Sequence, residues 1–175
     1  MRPLVLLSLL LLAACEAPRV LLAPGVPLVL PSPGELGRSV EAAQVVTATR
    51  NGEVTVFEAR LAATPDEFRL LTTDTMGRRA LGIRWTAQGI EQDRAAWLPV
   101  ELKAENILAD LVLLYWPDAA IRRGLSGASL SSDASGRRIG EVVSVRYDGD
   151  PWTGTSWLEN RAWGYSLEVR SVVLP

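Results

Sequence analysis

The chain has 175 residues, with 18 basic and 20 acidic side chains, no histidine and one cysteine. That length suits one domain of ordinary size, and a formal charge of −2 argues against a nucleic-acid partner, because phosphate binding needs a clustered cationic excess. The absence of histidine excludes Ser-His and Cys-His nucleophiles and every histidine-containing metal site, and a single cysteine excludes an internal disulfide.

The chain opens with Arg2, then an apolar run from Leu4 to Leu12, then Ala13-Ala14-Cys15. A positive start, about ten apolar residues and small residues before a cleavage point make a secretory signal. The cysteine stands where lipoprotein processing attaches a diacylglycerol to the thiol. The sequence therefore predicts a signal peptide over 1–14, a lipid-anchored Cys15 and an exported, membrane-attached domain. An ordinary signal with an incidental cysteine is the alternative; a spanning helix fails on length, since about 20 apolar residues are needed. Glu16 stands in place of the aspartate that favours inner-membrane retention, which points to the outer membrane with the domain facing the periplasm.

Pro18, Pro24, Pro27, Pro31 and Pro33 follow within a short stretch. Such density opposes both helix and sheet, so residues 15–34 are expected to be a semi-rigid tether, with 35–175 as the single folded domain. The apolar stretches Val20 to Ala23 and Val26 to Leu30 fit a spacer poorly and suggest packing along the domain or at the membrane surface.

From Glu41 the apolar period becomes two. Val45 to Arg50 passes through Asn51-Gly52, a tight-turn signal, into Val54 to Ala63. Further strands are predicted over Phe68 to Thr73, Ala80 to Thr86 and Ile90 to Ala95, with turns at Thr75-Met76-Gly77 and Ala87-Gln88-Gly89. Helical spacing then takes over from Glu101 to Tyr115, where Ile107, Leu108, Leu111, Val112, Leu114 and Tyr115 share a broad face. Pro117 ends that helix at Trp116, and a short second helix is predicted from Asp118 to Gly124. Strands return at Ala128 to Ser131, Arg138 to Tyr147 and Trp163 to Val173, with Asp148-Gly149 and Asn160 as turn signals.

Strands, a helical insertion and strands again predict an α+β, mainly β, fold: a curved antiparallel half-barrel sheet covered by one or two helices. Whether the space between is a filled core or an apolar pocket stays open, because the six tryptophans suit either. No catalytic constellation emerges. Gly124-Leu125-Ser126-Gly127 misses the nucleophile-elbow spacing by one residue and reads as a loop; Asp148-Gly149-Asp150 lacks the rest of a calcium loop. Arg78-Arg79 and Arg122-Arg123 read as solvated surface or headgroup contacts. No cofactor or metal is expected.

The run Ala104 to Pro117, AENILADLVLLYWP, followed by Ala119-Ala120-Ile121-Arg122, resembles the signature of an uncharacterised proteobacterial lipoprotein family associated with aryl-polyene gene clusters. More distantly, the arrangement from about Gln44 to Val173 is similar to LolB, the outer-membrane receptor for lipoproteins, and to its periplasmic carrier LolA. The resemblance implies a half-open sheet under helices with an acyl-chain cavity and an apolar hairpin tip that enters the membrane. The candidate cavity residues are Leu81, Ile83 and Trp85 on the sheet and Leu108, Leu111, Leu114 and Trp116 from the helix. Met76 takes the place of the tip, with methionine for leucine and no preceding proline. An acyl or polyene-bearing lipid, or a lipoprotein handed over by a periplasmic carrier, is then the expected cargo. A structural or accessory envelope lipoprotein acting through protein contacts is the second expectation; an enzyme is the least favoured, since no nucleophile with a base can be named.

Overall fold

The computed structural model describes residues 17–100 and 102–175. The predicted signal peptide and Cys15 lie outside the described residues, as does Glu101. Twelve strands and two helices follow in the order β1 (Arg19–Ala23), β2 (Val26–Val29), β3 (Val40–Arg50), β4 (Glu53–Ala63), β5 (Glu67–Asp74), β6 (Arg79–Thr86), β7 (Gly89–Arg94), α1 (Ala104–Tyr115), α2 (Asp118–Gly124), β8 (Leu130–Asp133), β9 (Gly136–Ile139), β10 (Val143–Asp148), β11 (Thr155–Asn160) and β12 (Tyr165–Val173). Ten of the strands form one antiparallel sheet in the order β7-β6-β5-β4-β3-β12-β11-β10-β9-β8. It is a curved, open half-barrel with the helices packed on it, the fold class that the alternation of periods predicts. The chain's last strand enters the middle of the sheet, where β12 pairs with β3 from Tyr165↔Arg50 to Val173↔Ala42.

The residues facing the helices are the alternate positions of each strand. Val40, Ala42 and Gln44 of β3, Ala59, Leu61 and Ala63 of β4, Phe68 and Leu70 of β5, and Leu81, Ile83 and Trp85 of β6 are all buried. Helix α1 buries more than one face: Ala104, Leu108, Ala109 and the whole run Leu111 to Tyr115 are covered. A helix apolar nearly all round needs cover on two sides. The sheet supplies one; the other contains the segment expected to be a tether.

That expectation is corrected between residues 18 and 30. β1 and β2 form a hairpin of their own, with Val20, Leu22, Ala23, Val26, Leu28 and Leu30 buried in the common core and Leu28 fully so. The prolines do not prevent it because each stands where a missing N–H costs little. Pro18 precedes the strand, Pro24 opens the turn ahead of Gly25 at φ 76°, and Pro27 lies opposite the irregularity between Leu21 and Ala23. Pro33 starts a single 3-10 turn, Pro33–Leu36. The folded unit therefore reaches back to Pro18, whose carbonyl accepts the Leu30 N–H at 2.8 Å.

The loop after α2 receives this hairpin. Ser126 N–H donates to Pro27 O at 3.0 Å, and Leu28 bridges Leu125. A Cβ on Gly124 would lie 2.1 Å from Val29 O, so this glycine permits the close approach. Gly124-Leu125-Ser126-Gly127 is thus a docking loop, in keeping with its reading as a loop.

Candidate functional site

The candidate cavity residues come together in one interior. Leu81, Ile83 and Trp85 point inward from β6, opposite Thr72, Leu70 and Phe68 of β5; Leu108, Leu111 and Leu114 are buried on α1, and Trp116 follows that helix. All seven are buried and belong to one continuous core. Three aromatic rings meet near its end: Trp85 and Trp116 with centroids 5.6 Å apart, Phe68 and Trp116 5.7 Å, Phe68 and Trp85 6.3 Å. Trp116 also donates its indole N–H to Ser32 O at 3.1 Å, which locks it to the segment after the hairpin.

The seven side chains are packed within one cluster of buried apolar residues. Two open depressions found among the described residues lie elsewhere. One, of about 660 Å³, is on the outer face of β4 to β7 over Leu71 and Gly82, rimmed by Arg60, Arg69, Arg79 and Arg84. The other, of about 460 Å³, sits beside the end of α1 between Tyr115, Asp118, Asp133, Arg137 and Tyr147. Ile83 borders the first and Leu114 the second; the other five candidates border neither.

Polar groups inside the core are joined to one another. Gln44 Nε2 donates to Tyr115 Oη at 2.6 Å and to Ser171 Oγ at 3.1 Å, linking β3, α1 and β12. Burial pushes the Tyr115 hydroxyl up to about 12, so it remains a neutral donor and acceptor. Tyr115 stacks on Trp152 with centroids 4.2 Å apart, and Arg38 covers Trp152 from outside. Asn160, 2% exposed, donates to Leu22 O at 3.0 Å and accepts the Trp163 N–H, fastening the hairpin to β11. At the end of α1, Arg137 donates to the carbonyls of Leu113 and Trp116 while pairing with Asp118 at 3.0 Å. Buried polar groups satisfied in this way hold elements in register, whereas the fully buried Ser156 Oγ on β11 has no hydrogen-bond partner. Among the described residues, no three His, Cys, Asp or Glu side chains gather where a metal ion would sit, and no helix is long and apolar enough to cross a membrane.

Met76 stands apart from this interior. It occupies the turn between β5 and β6, which Asp74 organises by accepting the backbone N–H groups of Met76 and Arg78, each at 2.9 Å. The Met76 side chain is 80% exposed. Close by, Arg78 lies over the ring of Trp97, 5.5 Å from its centroid, in the loop after β7. The resemblance to LolB singles out Met76, whereas nothing in the sequence marks Trp97, which lies in a segment without periodicity.

Fold and side chains together define a class: a helix-filled antiparallel half-barrel, with an apolar interior sealed by an N-terminal hairpin and one conspicuously exposed apolar hairpin tip. Residues 41–173 match the family described as protein of unknown function (DUF3261), and the chain belongs to that family. The β1–β2 hairpin precedes the matched span although it shares the core. No curated protein matches the chain.

Proposed function

We propose that this protein is an outer-membrane lipoprotein, anchored through Cys15, whose half-barrel receives an acyl-bearing lipid or lipoprotein cargo and aids its delivery to the bilayer. The observation that carries the reading is the construction of the interior. An open sheet lined by Phe68, Leu70, Leu81, Ile83 and Trp85 is covered by the helices, and these in turn by a hairpin that forms a separate two-stranded sheet rather than extending the main one. A cover of that kind can move while the sheet stays intact, and cargo entry is an exchange of one apolar occupant for another. The resemblance of layout to LolB and LolA supports the same reading, and the resemblance of Ala104 to Pro117 to a family associated with aryl-polyene gene clusters makes a polyene-bearing lipid the cargo we propose. Met76 is the membrane-contacting residue, and a periplasmic carrier protein is the donor.

The burial of all seven candidate cavity residues in one core cluster favours a second reading: an accessory envelope lipoprotein that acts through protein contacts and holds no ligand. Native mass spectrometry of the mature lipidated protein released from envelopes, with organic extraction, separates the two. A defined apolar molecule beyond the protein's own anchor supports the receptor. A ligand-free chain that brings down a stoichiometric protein partner supports the accessory role and sinks the receptor.

A further inference from the structure

Strand register sorts the loops of the half-barrel onto two rims. Arg50 faces both Glu53 and Tyr165, Phe57 faces Asp74, and Leu81 faces Arg94. The β3–β4, β5–β6 and β11–β12 turns and the loop after β7 therefore share one rim, and the β4–β5, β6–β7, β8–β9 and β10–β11 turns share the other. Large apolar side chains left exposed follow the same division. Val54 at 62%, Met76 at 80%, Trp97 at 48%, Val100 at 72% and Trp163 at 43% all lie on the first rim. Leu21, 52% exposed, joins them, because Trp163 Nε1 donates to its carbonyl at 3.1 Å. At the opposite end of the sheet, Val172 at 57% and Val173 at 41% close β12, but no turn of that rim carries a large exposed apolar side chain, and Val45 and Leu71 lie within strands.

Acidic groups stand on both rims, with Glu53 and, in the β9–β10 turn, Glu141 exposed on the apolar one. On the apolar rim Arg78 pairs with Asp74, and Arg161 with Glu159. The turns of the opposite rim carry Asp66, Asp133, Asp148 and Asp150, which an anionic surface repels. Indole rings with a cation beside them suit the headgroup layer, where an apolar body and a polar edge are both satisfied.

We propose that this rim is a bilayer-contact surface on which the domain stands, with Met76, Trp97, Val100, Trp163 and Leu21 at headgroup level and the opposite rim turned away. Chain length agrees. Cys15 precedes Arg19 by four positions, about 13 Å of extended chain, and β1 then brings Leu21 to the rim. A lipid on Cys15 holds the domain against the membrane, not tens of ångströms from it. The inference rests on the lipoprotein part of the proposed function and is independent of cargo.

The test is tryptophan quenching on the lipidated protein reconstituted into vesicles of phosphatidylethanolamine and phosphatidylglycerol whose acyl chains are brominated near the headgroup. The wild-type emission is expected to be quenched relative to unbrominated vesicles. The Trp97→Phe/Trp163→Phe variant, checked for unchanged circular dichroism, is expected to lose that quenched component while Trp85, Trp116, Trp152 and Trp157 still emit. Quenching that persists in the double variant, or is absent in the wild type, overturns the rim surface. Protein that fails to enter the vesicle fraction overturns the anchor and the proposal with it. Quenching at the rim in a chain that native mass spectrometry finds empty sinks the receptor reading alone.

Discussion

Tyr165 donates its hydroxyl to Asp110 Oδ1 across 2.7 Å, joining the first residue of β12 to the middle of α1. Tyr165 also packs against the apolar core, and each of the two perturbs the other. Burial pushes the Asp110 carboxyl up to about 7, against which the Tyr165 hydrogen bond acts only in part. Burial and the Asp110 charge together raise the Tyr165 hydroxyl.

That pair makes stability depend on pH. A carboxyl raised from 3.8 to about 7 on folding binds its proton more tightly in the folded chain. Its contribution is fully present below 3.8, declines as pH rises through the window to about 7, and is level above it. Asp133, held low chiefly by hydrogen bonds from Ser135, and Glu168, held low by Arg170, act in the opposite sense as pH falls. The Asp110→Asn variant isolates the term, since its amide oxygen still accepts from Tyr165 without a charge. It is expected to match the wild type near pH 4 and to exceed it by about 1–2 kcal/mol at pH 8 in urea unfolding. Parallel pH profiles for the two proteins count against the assignment.

The hairpin supplies the second prediction. Leu28 is fully buried between α2 and the core, so Leu28→Ala is expected to cost about 3 kcal/mol by loss of transfer energy and an incompletely closed cavity. Gly124→Ala places a Cβ 2.1 Å from Val29 O and forces the hairpin or the helix end to shift. A chain starting at Glu35, the boundary the proline content suggests, lacks all six buried side chains of the hairpin segment and is expected to remain unfolded by circular dichroism. Cooperative unfolding of that shortened chain at wild-type denaturant concentrations sinks the idea that the hairpin belongs to the core.

Sequence reading went wrong there for a physical reason. Proline density is evidence against strands on average, but each proline's cost depends on whether its own N–H had a partner, and Pro18, Pro24 and Pro27 fall where none was needed. Strand β11 was passed over for the opposite reason. Its inward residues are Ser156, Leu158 and Asn160, with Trp157 facing out, so the apolar alternation points to the wrong face. Arg138 to Tyr147, expected as one strand, breaks at residues 140–142 into β9 and β10. The long elements were legible because their periods are unmixed: β4 to β7 and both helices stand within about three residues of their expected limits, while β3 starts at Val40 rather than Val45. Alternation also placed Leu81, Ile83 and Trp85 on one face and helical spacing placed Leu108, Leu111 and Leu114 on another. What covered the other side of the helix lay in residues 19–30 and carried no signal that a period count could recognise.

Met76→Glu tests the tip without touching the core. The side chain is 80% exposed and its turn is held by Asp74 through backbone groups, so stability is expected to change by no more than about 0.5 kcal/mol. A carboxylate at headgroup level costs membrane affinity, and complementation of a deletion strain is expected to fall. A variant that is folded, as abundant as wild type and fully complementing removes Met76 from any membrane role.

Arg137 is the side chain whose loss the fold should tolerate least at the end of α1. Its guanidinium donates to Leu113 O at 3.0 Å and Trp116 O at 2.7 Å, and its Nε pairs with Asp118 at 3.0 Å, with only 16% of the side chain exposed. The last carbonyls of a helix have no partners within it, and a cation placed there also meets the negative end of the helix dipole. Pro117 makes an outside donor more necessary, since it has no N–H to offer. Arg137→Ala leaves two part-buried carbonyls and the Asp118 carboxylate without this partner, an expected loss of about 2–3 kcal/mol. Lysine keeps the charge but has one nitrogen and cannot reproduce the fork, so Arg137→Lys is expected to recover less than half of that loss. Urea unfolding of the two variants decides it: equal stability of Arg137→Lys and wild type would mean that charge alone matters and that the carbonyl contacts contribute nothing.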